Sequence, residues 1–102
     1  MPLLVMKFGG TSLATIELIK KAAERVKVEV SRGYEVIVIV SAMSGKTNEL
    51  IGWVNKTSSI YDAREYDAIV SSGEQVTAGL LALVLQNLDI PARSWQGWQV
   101  PS

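Results

Sequence analysis

Residues 34–40, YEVIVIV, constrain the fold of this chain more than any other stretch. Val36, Ile37, Val38, Ile39 and Val40 are all β-branched, and such residues are stiff in a helix and well suited to a strand. The run has no polar residue at alternate positions, a pattern that fits a strand covered on both faces, as in a parallel sheet. A second apolar stretch, Leu3 to Phe8, lies upstream. Between the two, Leu13, Ile16, Ile19, Ala23, Val26 and Val30 recur at spacings of three or four, with Glu17, Lys20, Lys21, Glu24 and Lys27 on the other side. That is the periodicity of an amphipathic helix. Gly9 and Gly10 break the first strand, Thr11 or Ser12 is placed to cap the helix, and Arg32 followed by Gly33 closes it. Strand, helix and strand in this order predict a βαβ unit with parallel strands and a right-handed crossover.

The polar stretch SAMSGKTNEL, from Ser41, leads into a short helix that includes Trp53 and Val54, with Trp53 expected in the core. Asp62 and Glu65, three residues apart, mark the start of another helix. An interruption is expected at Ser71, Ser72 and Gly73, with a restart in which Ser72 and Gln75 have capping-box spacing. The segment VTAGLLALVLQNL is apolar on most sides and expected to be buried, and Arg64, Tyr66 and Asp67 are expected on a solvated helix face. IPARSW reads as a third short strand, and GWQVPS has no closing helix after it. Trp95 and Trp98 fit either a core or an interface. The sequence therefore predicts an α/β fold, a mostly parallel sheet with an unpaired edge, as the front part of a larger domain.

Composition narrows the chemistry. Ten basic and ten acidic residues cancel, which gives no basic stripe for nucleic acid. There is no cysteine and no histidine, so thiolate metal sites and imidazole general bases are excluded. No contiguous apolar run approaches the ~20 residues of a bilayer span, and the N-terminus does not read as a signal peptide. The expectation is a soluble cytoplasmic protein that engages neither membrane nor nucleic acid.

Ligands of parallel α/β sheets bind beyond the carboxyl ends of the strands, and three polar segments fall there: KFGGTS, SAMSGKTN and SSGE. In the first, glycines allow close backbone approach, a helix start favours anions, and Lys7 adds a full charge. The parts suit a phosphate, and they equally suit a tight turn with an incidental lysine. In the second, Gly45, Lys46 and Thr47 suggest a P-loop, but that motif needs glycine where this chain has Val40. What remains is Ser41, Ser44, Thr47 and Asn48 at a helix start, able to hold a carboxylate or phosphate, or simply to cap the helix. In the third, Glu74 near a helix start either complements the helix dipole or, kept ionised, pairs with a substrate ammonium.

KFGGTS near the start, VIVIVSAMSGKTNEL after the crossover and SSGEQVTAGL some thirty residues later together resemble the N-terminal part of aspartate kinases, in the amino-acid kinase superfamily. The resemblance runs along essentially the whole chain. It implies a three-layer αβα, carbamate-kinase-like fold with helices on both faces of the sheet, of which residues 1–102 form an incomplete catalytic domain. It implies ATP-dependent phosphorylation of the L-aspartate side-chain carboxylate to 4-phospho-L-aspartate, the entry to lysine, threonine and methionine synthesis. By position, Lys7 would be catalytic and would contact the transferring phosphoryl group. Phe8, Gly9, Gly10 and Ser41 would join it at the nucleotide, the glycines through backbone donors. Gly45, Lys46, Thr47, Asn48 and Glu49 would line the aspartate site, with Glu74 at the substrate ammonium. ATP would come with Mg2+, most of whose contacts, like the adenine contacts and the regulatory ACT modules, would lie outside this chain; no metal ligands are expected within it. The full-length protein would be a homo-oligomer, and this chain alone would be inactive. The alternatives are a non-catalytic small-ligand or protein-binding α/β module, or a different kinase of the same superfamily.

Overall fold

A computed structural model describes residues 1–60 and 62–95. Strand β1 (Leu3–Phe8) pairs in parallel with β2 (Glu35–Val40), in register from Leu3 opposite Glu35 to Phe8 opposite Val40. Backbone bonds extend the ladder at both ends, from Glu35 N to Pro2 O at 2.9 Å and from Ser41 N to Phe8 O at 3.2 Å. Helix α1 (Ile16–Ser31) makes the crossover, so the expected parallel βαβ unit is present. α1 ends as its sequence implies. Gly33 takes φ +95, a left-handed conformation favourable to glycine, and its N–H donates to Val30 O.

The start of α1 differs from expectation. Residues Gly10–Leu13 form a 3-10 turn that contains both Thr11 and Ser12. The cap is Thr15, whose Oγ1 accepts from Leu18 N at 3.2 Å. Gly10 at φ +55 tightens the chain into that turn, which delays the helix by one turn and moves the capping position downstream. Of the expected apolar stripe, Ile19, Ala23 and Val26 are buried together with Ala22, whereas Ile16 is exposed.

Helix α2 (Lys46–Thr57) follows β2, and α3 (Ala63–Asn87) follows α2. Asp62 caps α3 as expected, its Oδ1 accepting from Arg64 N at 2.7 Å and Glu65 N at 3.3 Å. The expected break at residues 71–73 is absent, and α3 is one helix of 25 residues. The hydroxyls that suggested a new cap turn back on their own helix, Ser71 Oγ to Ala68 O and Ser72 Oγ to Ile69 O. α3 is long and apolar enough to cross a membrane by length and composition, with a best 18-residue mean hydropathy of 1.5. Here its stripe of Gly73, Thr77, Leu81 and Leu85 is buried against the rest of the chain. Replacing Asp62 by Ala removes the acceptor for two first-turn amides and should cost about 1 kcal/mol, measurable as a lower chemical-denaturation midpoint.

The core lies between one face of the sheet and helices α1 and α3. Phe8, Leu13, Ile19, Ala22, Ala23, Val26, Leu81 and Leu85 form its buried centre, with Met6, Val36, Val38 and Val40 packed against it. β1 and β2 thus alternate in burial. Their other face, with Leu3, Val5, Ile37 and Ile39, is about half exposed. The described helices therefore cover one side of the sheet, and the uniform apolarity of β2 belongs to a strand whose second side stands open among these residues. Trp53, expected in the core, is 53% exposed, because α2 turns Leu50 and Val54 inward instead. Arg64 and Asp67 are exposed as expected, and Tyr66 is half-buried. Residues 91–95, within the expected third strand, have no regular structure, and Trp95 is exposed. Trp98 and the rest of GWQVPS lie outside the described residues.

Candidate active site

Parallel strands end on the same rim, and both described strands leave the sheet there. β1 runs into Gly9, extended at φ −157 and ψ 171, and then into Gly10 at φ +55. Leu13, fully buried at the end of the 3-10 turn, anchors the far side of this loop in the core. β2 runs into Ser41 and Ala42. The two loops touch: Ser41 Oγ accepts from Gly10 N at 3.1 Å, and a Cβ built on Gly9 would lie 3.2 Å from that oxygen.

α3 reaches the same place through Gly73. A Cβ there would meet Ala42 Cβ at 2.9 Å, Lys46 Cγ at 3.3 Å and Leu50 Cδ1 at 3.4 Å. The glycine turn and the middle of α3 thus both press on the segment from Ser41 to Lys46. Sequence reasoning picked SSGE for its carboxylate and missed that Gly73 makes the contact. A usable signal was present, since Gly73, Thr77, Leu81 and Leu85 fall four residues apart and begin the buried stripe with the smallest residue.

Lys7 sits opposite Ile39 near the end of β1, on the open face of the sheet. Its side chain is exposed and makes no ion pair or hydrogen bond among the described residues. Phe8 faces the other way. Its ring is 5% exposed and belongs to the core, with the Arg25 guanidinium 5.3 Å from the ring centroid. Its carbonyl meets the second loop, accepting from Ser41 N at 3.2 Å. Gly10's amide is likewise already engaged by Ser41.

The start of α2 is uncapped by any side chain. Its N-cap is Gly45, left-handed at φ +83, so neither Ser44 nor Thr47 nor Asn48 plays the capping part. Thr47 and Asn48 are exposed in its first turn. An uncapped helix start presents unpaired amides and partial positive charge, which favours an anion. Beside it, Lys46 Nζ donates to Glu49 Oε1 at 3.0 Å, a pair that is about half exposed. Glu74 is exposed and follows Gly73, but it lies roughly three turns into α3. The dipole acts only within a helix's first and last turns, so the helix-start argument made for Glu74 does not apply. Two shallow concavities of about 460 and 480 Å3 lie elsewhere, along the outer side of α3 and between α1 and α3.

The model of the amino acid kinase family matches residues 2–100. The chain belongs to the amino acid kinase family. An aspartokinase from Rickettsia felis is 51% identical over 104 residues, covering 99% of this chain and 26% of the relative. One from Pseudomonas aeruginosa is 50% identical over 100 residues, covering 98% of this chain and 24% of its own length. The crystal structure of aspartate kinase from Synechocystis superposes with a TM-score of 0.92 at 43% identity, covering 98% of this chain and 17% of that one. This member of the family thus spans about a quarter of the length of the curated relatives it matches. Its α/β architecture with a parallel sheet matches that of the Synechocystis enzyme over the part superposed.

Proposed function

We propose that this chain carries part of the catalytic site of an aspartate kinase of the cytoplasm. The reaction transfers the γ-phosphoryl group of ATP to the side-chain carboxylate of L-aspartate. A carboxylate oxygen forms the new P–O bond, the bond to the β-phosphate oxygen breaks, and ADP and 4-phospho-L-aspartate leave. An aspartate carboxylate is already ionised at neutral pH, so no base has to remove a proton, and a chain without histidine loses nothing by it. Such transfers depend mainly on positioning and on neutralising charge.

The observation that supports this reading best is that the glycine loop following unpaired Lys7 is joined through Ser41 to the segment that opens the uncapped start of α2. Lys7 would stabilise charge on the phosphoryl oxygens. Thr47 and Asn48, with the first-turn amides, would receive the aspartate, and Glu74 its ammonium. The residues of this chain suit the phosphates of ATP. They gather no group of three or more acidic side chains for Mg2+ among the described residues, so the ion, which would neutralise phosphate charge when bound, would be held by other parts of the protein. In this reading the chain is the N-terminal part of the catalytic unit of a homo-oligomer, and the adenine site and the regulatory modules lie outside it.

The test is ATP turnover by the purified full-length protein with aspartate, glutamate or carbamate, the acyl phosphate being trapped with hydroxylamine. ADP release and hydroxamate formation are expected with aspartate alone. Turnover with glutamate or carbamate instead would assign a different kinase of the family, and none with any acceptor would favour a binding module. Residues 1–102 produced alone should show no aspartate-dependent ADP release, and turnover by that piece would contradict the division of the site just described.

A further inference from the structure

We propose that Ser41 is a positioning residue, which holds the glycine turn behind Lys7 from the neighbouring strand. The proposal rests on the aspartate kinase reading above for its kinetic consequence, though not for its geometry. Ser41 brackets Gly9 with two bonds. Its N–H donates to Phe8 O at 3.2 Å, just before that glycine, and its Oγ accepts from Gly10 N at 3.1 Å, just after it. The same hydroxyl donates onward to Ala42 O at 3.3 Å. Its proton and one lone pair are thereby committed, and both loops of the rim are held by one side chain.

The local sequence explains why the clamp has to come from a distance. The 3-10 turn opens at Gly10, and its N-cap is Gly9, which has no side chain to cap with. A serine, threonine or aspartate at that position would normally accept from the first amides. Here the acceptor comes from 31 residues away. Gly9 in turn leaves room for it, since a Cβ there would lie 3.2 Å from Ser41 Oγ and 3.7 Å from Ser41 Cβ. Without the hydroxyl, two adjacent glycines would be free to sample many conformations, directly after the strand end that presents Lys7. Ser41 is half-buried, so water is a poorer substitute there than at an open surface. In this role the hydroxyl bonds to the protein and acts on the substrate through Gly9, Gly10 and Lys7.

Hydrogen exchange and steady-state kinetics on the full-length protein test this together. In the unsubstituted protein the Gly10 amide should be protected from exchange, and exchange at the free-peptide rate would overturn the clamp whatever the variants do. In Ser41→Ala that amide should exchange about ten-fold faster, the loss expected for one hydrogen bond. Turnover should fall by about ten-fold or more, as expected from a small misplacement of a reacting group, with KM for ATP and for aspartate little changed. Ser41→Thr keeps the hydroxyl and should restore both protection and turnover. A higher KM for ATP with unchanged kcat in Ser41→Ala would place the hydroxyl on the nucleotide and overturn the proposal. So would a Ser41→Thr protein as slow as Ser41→Ala. If the unsubstituted protein phosphorylates no acceptor, the functional reading fails on its own account, and the exchange rates still decide the clamp.

Discussion

On the proposed aspartate kinase reading, replacing Lys7 by Ala in the full-length protein should lower kcat for aspartate phosphorylation by about 100- to 1,000-fold, the range seen when one preorganised charge-stabilising group is removed from a site. The fold should not respond. Lys7 is exposed, carries no ion pair or hydrogen bond among the described residues, and lies on the uncovered side of β1. A surface change of this kind moves stability by about 0.5 kcal/mol or less. The substitution therefore separates chemistry from structure. Phe8, one residue on, would not serve, because its ring is core and its loss would cost about 3–5 kcal/mol of stability, which mixes folding with chemistry. If Lys7 acts only in the transition state, kcat and kcat/KM should fall together. A loss confined to KM would make Lys7 a ground-state anchor for ATP, and undiminished turnover would remove it from the mechanism.

The sequence made some of this arrangement readable and hid the rest for identifiable reasons. β1, α1 and β2 were legible because each signal is local: a β-branched run, a 3.6-residue period, a glycine after a cation. α3 was misread because local signals competed with packing. Ser72 and Gln75 spell a capping box, but a helix interior tolerates serines that bond to carbonyls three residues back, and Ser71 and Ser72 both do so. Gly73, which reads as a breaker, is held inside the helix by the contact it permits with Ala42 and Lys46. The cap of α1 was displaced to Thr15 because nothing in the sequence shows that a 3-10 turn will use the four residues after Gly9. The open face of the sheet was invisible for a different reason: Ile37 and Ile39 are as apolar as the core-facing Val36 and Val38, and periodicity cannot tell one covered face from two. The rim itself was legible in outline, since three loops at strand ends is a rule of topology. The bond between Ser41 and Gly10, 31 residues apart, was not.

Two glycines of α3 offer the sharpest test of how that helix meets the site, because the same substitution should have opposite signs at each. Alanine is favoured over glycine in a helix interior by about 1 kcal/mol. At Gly79 nothing lies within 4 Å of the new Cβ, so Gly79→Ala should gain up to about that amount. At Gly73 the new carbon would stand 2.9 Å from Ala42 Cβ. That neighbour is fixed to the backbone and cannot swing aside as the Lys46 chain can, so either α3 or the loop after β2 must shift. Overpacking of this kind costs about 1–3 kcal/mol, enough to cancel the helical gain and leave Gly73→Ala less stable than Gly79→Ala by roughly 1–3 kcal/mol, read from paired denaturation curves. The movement would also be transmitted to the site, since Ala42 follows the residue that clamps Gly10 and Lys46 begins α2. Turnover by the full-length Gly73→Ala protein should therefore fall even under conditions where it is fully folded, while Gly79→Ala keeps its rate. Equal stability in the two variants would mean that α3 does not press on the loop after β2, and the rim would lose the contact that brings its third segment in.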